Sequence, residues 1–153
     1  MGLKQFLESA GTYVGVKYDD DSLKAIGELQ KALGLKNPVA LEDIHSTVLY
    51  SRVGIDLPSL GESRRRCTGV EIETWNTDND KNPVVVLKIK SPELEERHLD
   101  LISIGGTHDF PDYTPHITLS YNDDVPNLVL WQPLWTSREY TEDLDINWVK
   151  DKE

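Results

Sequence analysis

Sulfur and basic charge are both scarce in this chain. One cysteine and one methionine occur in 153 residues, and 16 lysines and arginines stand against 27 aspartates and glutamates, a net charge of −11. The lone Cys67 has no partner for an internal disulfide, which points to a reducing, cytosolic compartment. No nucleophile signature surrounds it, so a buried, inert thiol is expected. Long apolar runs are missing as well. The longest strongly apolar run is Val84 to Leu87, far short of the ~20 residues that cross a bilayer. The opening residues show no basic stretch followed by an apolar core, which argues against a secretory signal. Phe6 stands where a myristoylation motif after Met1-Gly2 needs Ser or Thr. A cytoplasmic protein without a membrane partner is the expectation.

The shortage of basic residues also limits the ligand. Proteins that neutralise many backbone phosphates need a broad basic surface. Here there is one cluster, Arg64-Arg65-Arg66, and otherwise scattered lysines, so long DNA or RNA is excluded as a partner. The cluster fits a solvated strand end and a ligand contact equally well. A small anion stays within reach, because a few local donors outweigh a screened global field. Apolar residues make up 38% and charged residues 28%, an ordinary globular balance. The length fits one domain, 1–153, or two small lobes sharing a core.

A coarse pattern of elements follows. Leu3 to Leu7 suggests a short helix ended by Gly11, and Thr12 to Lys17 a strand. Asp21 or Ser22 is placed to cap a helix with the stripe Leu23, Ile26, Leu29 and Leu33, closed by Gly34. Ile44 to Ser51 reads as a strand and Asp56 to Ser63 as a loop. Cys67 to Trp75 alternates, with Val70, Ile72 and Thr74 on one face and Glu71, Glu73 and Trp75 on the other. Asn76 to Asn82 is a hairpin loop before the strand Val84 to Lys90. Ser91 caps a second helix with Pro92 at its first position, Leu94, Leu101 and Ile102 inward, and Gly105-Gly106 at its end. His116 to Tyr121 and Leu128 to Trp131 are further strands. Two helices among mostly antiparallel strands make an α+β fold.

Two of these strands repeat one motif. His45-Ser46-Thr47-Val48-Leu49-Tyr50 and His116-Ile117-Thr118-Leu119-Ser120-Tyr121 both read His-x-Thr, aliphatic, any residue, Tyr. Side chains two apart on a strand share a face, so each copy sets an imidazole beside a hydroxyl. Val48 and Leu119 then point to the core, and Tyr50 and Tyr121, five positions past the histidines, fall on the opposite face with a structural role. If the strands face each other across a groove, two imidazoles and two hydroxyls converge. One neutral imidazole takes a proton from an attacking oxygen while the other, as imidazolium, protonates the leaving oxygen. The threonines donate to the oxygens that gather charge. A single copy would mean only a half-exposed strand face; two with matching flanks argue for phosphoryl transfer. Neither histidine has carboxylate, cysteine or histidine neighbours at metal-ligand spacing, and His108, Asp109 and Asp112 read as a polar loop.

These motifs resemble those of the two-histidine (2H) phosphoesterase superfamily, across most of the chain. The resemblance implies two pseudo-symmetric antiparallel sheets with flanking helices around a central groove, His45, Thr47, His116 and Thr118 as catalytic groups, and neither metal nor other cofactor. The opening Gly2 to Tyr13 and the stretch Pro115 to Leu119 are similar to the phage anti-CBASS phosphodiesterase family, which degrades cyclic di- and trinucleotide immune signals. That likeness implies a cyclic oligonucleotide substrate contacted by Tyr13, Glu142 and Trp148. Trp75, on a strand face with two glutamates, is a further stacking candidate; core or rim packing is the plainer reading of any one tryptophan. The rival functions are a phosphodiesterase or ligase for RNA 2′,3′ ends, and a protein that sequesters cyclic nucleotides without cleaving them.

Overall fold

The computed structural model describes residues 11–56, 61–76, 82–109 and 112–144. The helix expected at Leu3 to Leu7 and the residue Trp148 lie outside them. Among the described residues, seven strands and two helices follow one another as β1 (Gly11–Tyr18), α1 (Asp20–Ala32), β2 (Ser46–Ser51), β3 (Gly61–Glu62), β4 (Arg66–Trp75), β5 (Val84–Lys90), α2 (Pro92–Ser103), β6 (His116–Tyr121) and β7 (Leu128–Leu144), with a 3₁₀ turn at Leu41–Asp43 before β2. This is the α+β fold expected. Among the described residues no helix is long and apolar enough to cross a membrane.

Local signals account for the helix limits. Asp19, not Asp21 or Ser22, caps α1: its carboxylate accepts from the Ser22 amide at 2.9 Å. The cap falls there because Asp20 and Asp21 sit in the first turn, where the helix dipole favours acidic side chains. Gly34 follows the helix with φ +64°, the left-handed conformation that glycine adopts at least cost. Ser91 caps α2 through its hydroxyl, which accepts from the Leu94 amide, with Pro92 in the first turn.

The strands form one path, β2-β1-β7-β4-β5-β6, with β3 added against β7. All the pairings are antiparallel. β7 is the spine. Its first part pairs with β4, from Ile72↔Leu128 to Arg66↔Trp135, and its second part with β1, from Tyr18↔Thr136 to Gly11↔Leu144. It is far longer than the Leu128 to Trp131 strand expected. Pro133 interrupts nothing, because there β7 has a ladder partner on one side only, Thr68. The expected loop at Asp56 to Ser63 contains β3, which pairs with Arg138 and Glu139.

A single core lies between the sheet and the helices. Val14, Val16, Val48, Leu49, Ile72, Val85, Leu87, Ile117, Leu119 and Leu134 meet Ile26 of α1 and Leu94 and Leu101 of α2. The path ends in the two motif strands, β2 and β6, and these ends are tied together. The Ser46 hydroxyl donates to the His116 carbonyl at 2.7 Å and stands 2.7 Å from the Tyr18 hydroxyl, which donates to it. The middle residue of the first motif is therefore the seam that brings both motifs to one place.

Candidate active site

His45 sits between the 3₁₀ turn and β2, and His116 is the first residue of β6. The two rings are anchored alike. Nδ1 of His45 lies 2.8 Å from the Asp43 carbonyl, and Nδ1 of His116 lies 3.0 Å from the Thr114 carbonyl. A carbonyl only accepts, so Nδ1 carries the proton in both rings. In the neutral form Nε2 then holds the free lone pair; in the charged form it holds a transferable proton.

The environments of the rings differ. Trp75 lies over His116 with ring centres 4.6 Å apart, and its indole nitrogen donates to Glu73 at 2.9 Å. Burial pushes the His116 pKa below the ordinary histidine value; the bond to the Thr114 carbonyl opposes this, and the nearby His45 charge adds to it. His45 meets the edge of Tyr13 at 6.4 Å. The Tyr13 hydroxyl stands 3.0 Å from the Thr47 hydroxyl. Desolvation keeps that phenol protonated, with its pKa raised. Thr118 stands two residues beyond His116 and pairs with Val86.

Beside the first motif opens a cleft of about 440 Å³, lined by Tyr13, Lys17, Asp43, His45, Thr47, Tyr50, Tyr140, Glu142 and Leu144. Glu142 reaches it because the ladder pairs it with Tyr13. Lys17 is steered by its bond to the Glu42 carbonyl at 3.0 Å and lies 5.7 Å from the Tyr140 ring centre. Gly15 makes room for this wall: a Cβ there would lie 2.6 Å from the Tyr140 hydroxyl and 2.9 Å from the Tyr13 ring. His116, Thr118 and Trp75 do not line this cleft; they stand across the Ser46 seam. Among the described residues, no three His, Cys, Asp or Glu side chains converge as a metal-binding group.

Two expectations need correction. Tyr50 is not on the face opposite Thr47, because it lines the same cleft. The cause is a bulge: the ladder steps from Val14↔Leu49 to Gly15↔Thr47, so Val48 is an extra residue and the alternation shifts by one beyond it. Val48 and Leu49 are accordingly both buried. β6 has the same bulge at Leu119, between Val85↔Ser120 and Val86↔Thr118, and Tyr121 beyond it is exposed rather than packed. The recurrence of Tyr at one place in both motifs was the available signal. Lys17 and Tyr140 also belong to the cleft: Lys17 shares the β1 face of Tyr13 by strand alternation, a signal that was available, whereas Tyr140 had none, since only the β1–β7 pairing brings it in.

The fold is thus an α+β sheet whose two end strands, β2 and β6, each carry a His-x-Thr motif and are joined through Ser46. Residues 10–151 match the family described as "Anti-CBASS protein Acb1". Anti-CBASS protein Acb1 of Vibrio phage KVP40 is 48% identical over 149 residues, covering 97% of each chain. That of Enterobacteria phage T4 is 42% identical, covering 99% of this chain and 98% of the relative. The chain belongs to the anti-CBASS protein Acb1 family. A solved structure, TT0787 of Thermus thermophilus, shares the fold at TM-score 0.60 and 15% identity, with 86% of each chain covered.

Proposed function

We propose that this chain is a metal-independent phosphodiesterase of the two-histidine type that hydrolyses 3′–5′ bonds of cyclic di- and trinucleotides. In an infected host it would remove these signals from the cytoplasm and blunt CBASS defence. The arms β2-β1-β7 and β7-β4-β5-β6, each ending in a motif strand, are read as the two pseudo-symmetric lobes of one 2H domain spanning 1–153. The observation that carries the proposal is the matched anchoring of the imidazoles, both fixed through Nδ1 to the carbonyl two residues upstream, on strands joined by Ser46. Binding alone requires no such pair of oriented proton-transfer groups, which counts against sequestration. The acidic surface counts against long RNA.

In the reaction, the ribose 2′-oxygen attacks the adjacent phosphorus and its proton passes to Nε2 of His116, the ring whose neutral form burial favours. The bond from phosphorus to the 5′-oxygen breaks, and that oxygen takes the proton on Nε2 of His45. Thr47 and Thr118 donate to the non-bridging oxygens. The 2′,3′-cyclic phosphate so formed is opened by water with the roles of the rings exchanged. Tyr13, Tyr50 and Tyr140 present ring surface and Glu142 a carboxylate to one base beside the first motif; Trp75, beside His116, is assigned to the other side, and Trp148 is kept as a substrate-binding residue. Incubation with a panel of cyclic di- and trinucleotides, read by chromatography, tests this. Linear products support it. Unchanged ligand held at reduced free concentration would mean sequestration, and selective action on RNA ends would mean the RNA enzyme.

A further inference from the structure

The bulges at Val48 and Leu119 each follow a motif threonine directly. A bulged residue drops out of the ladder, and its buried carbonyl needs another donor. In β2 that donor is His98 of α2, whose Nδ1 lies 2.7 Å from the Val48 carbonyl. In β6 the Leu119 carbonyl accepts from two donors, the Val39 amide at 2.9 Å and the side-chain amide of Gln30 of α1 at 3.0 Å, and Gln30 also donates to the Val39 carbonyl at 2.9 Å, fastening that contact from the helix side. The His98 and Gln30 side chains are buried, at 5% and 6% exposure, and neither lines the cleft. The His98 ring is further held by Tyr113, stacked at 4.2 Å and 7°, whose hydroxyl donates to the Thr47 carbonyl at 2.7 Å. Each helix thus grips the bulge of one motif, α2 that of the first and α1 that of the second.

We propose that His98 and Gln30 are positioning residues for the two His-x-Thr motifs, each clamping the bulge carbonyl that follows the motif threonine. Without the clamp the bulge relaxes toward a regular ladder, and a one-residue slip turns every side chain on one side of it to the other face. His45 and Thr47 would then lose their common direction with Tyr50, and His116 and Thr118 would turn likewise. Burial lowers the His98 pKa, so the ring stays neutral and keeps the Nδ1 proton it donates. The effect on turnover rests on the phosphodiesterase reading; the effect on ring geometry does not.

The test compares His98→Leu and Gln30→Met, which keep bulk and remove the donor, with His98→Asn, whose amide nitrogen takes the place of Nδ1. Two readouts are made on each folded variant: kcat and KM on a cyclic dinucleotide, and the ring ¹H–¹⁵N spectra of His45 and His116, which need no activity. The expected result is a kcat loss of ~10-fold or more for His98→Leu and Gln30→Met with KM within about twofold, as a misplacement of order 1 Å requires, and recovery of most of the rate in His98→Asn. His98→Leu should move the His45 ring signals and leave those of His116, and Gln30→Met should do the reverse. Unchanged ring signals in both donor-less variants, or equal disturbance of both rings by either one, would overturn the proposal. If the wild type turns nothing over, the function reading fails and the spectra still decide the clamp. If His98→Leu does not fold, Gln30→Met and His98→Asn decide it by the same criteria.

Discussion

Replacing Tyr13 with phenylalanine removes one oxygen from the wall of the cleft and leaves the ring in place. That oxygen lies 3.0 Å from the Thr47 hydroxyl, and the ring is wedged among His45, Tyr50 and Tyr140 with centres 5.6 to 6.4 Å away. The ring contacts survive, so the loss of the Thr47 hydrogen bond lowers stability by about 1 kcal/mol net, and the Tyr140 hydroxyl, which also meets the Tyr13 oxygen, turns to water in the open cleft. For a chain of this length that lowers Tm by roughly 2–4 °C. In the proposed reaction the catalytic effect follows from Thr47, whose hydroxyl is freed to rotate and would no longer be held ready for the phosphate. If the full ~1 kcal/mol is lost from the transition state, kcat drops by about fivefold. KM stays where it is, because the ring face offered to the base is unchanged. Initial rates over a range of cyclic dinucleotide concentrations, with a thermal melt on the same sample, measure both. A lower Tm with unchanged kcat would refute the reasoning and make the Tyr13 hydroxyl a purely structural group.

Other perturbations have separable signatures. His45→Ala and His116→Ala each reduce kcat by ~10²–10⁴-fold with a native melt, while Thr47→Ala and Thr118→Ala cost less; rates near wild type in either histidine variant would end their assignment. Trp75→Ala opens His116 to water and raises its depressed pKa toward the ordinary value. With His116 as the proposed base, which works in its neutral form, the acid limb of the pH–rate profile moves to higher pH and the alkaline limb stays; an unmoved acid limb would contradict the assignment of His116 as base. Gly15→Ala drives a methyl against Tyr140 and Tyr13, costing about 1–3 kcal/mol of stability and raising KM as Tyr140 is displaced into the cleft. An unchanged KM would mean that this wall does not meet substrate.

What is legible in the sequence, and what is hidden, divides along physical lines. The imidazole–hydroxyl pairs are visible because a two-residue spacing on a strand is a local property, and so are Ser91 with Pro92 and Gly34, whose caps depend on neighbours alone. The meeting of the motifs is not local: it depends on Ser46 reaching the His116 carbonyl across 70 residues. The bulges are hidden for a different reason. Strict alternation carried through Val48 and Leu119 misses them, whereas two consecutive buried residues, Val48-Leu49 and Leu119-Ser120, mark the break. β7 is read too short because its second half lacks an apolar pattern. Its buried positions there are polar, Thr136 and Glu139, and Glu139 is held by Arg97 at 2.9 Å and Arg65 at 3.3 Å. A buried carboxylate satisfied by partners on distant elements has no signature in a hydropathy pattern. For the same reason His98, which has no threonine two positions on, gives no sign that it serves the first motif from α2.

The proposed chemistry has neither a metal-made hydroxide nor a side-chain nucleophile, so the substrate must supply its own. A 2′-oxygen tethered beside phosphorus is worth effective molarities of up to ~10⁵–10⁸ M. The most direct measurement is to incubate the protein, with EDTA present, with a cyclic diribonucleotide and with its fully 2′-deoxy analogue, and to separate the products by chromatography. The account predicts linear product with a transient 2′,3′-cyclic phosphate from the ribonucleotide, and from the deoxy analogue binding without cleavage. Equal turnover of the deoxy analogue, or loss of ribonucleotide cleavage in EDTA that a divalent metal restores, would contradict it.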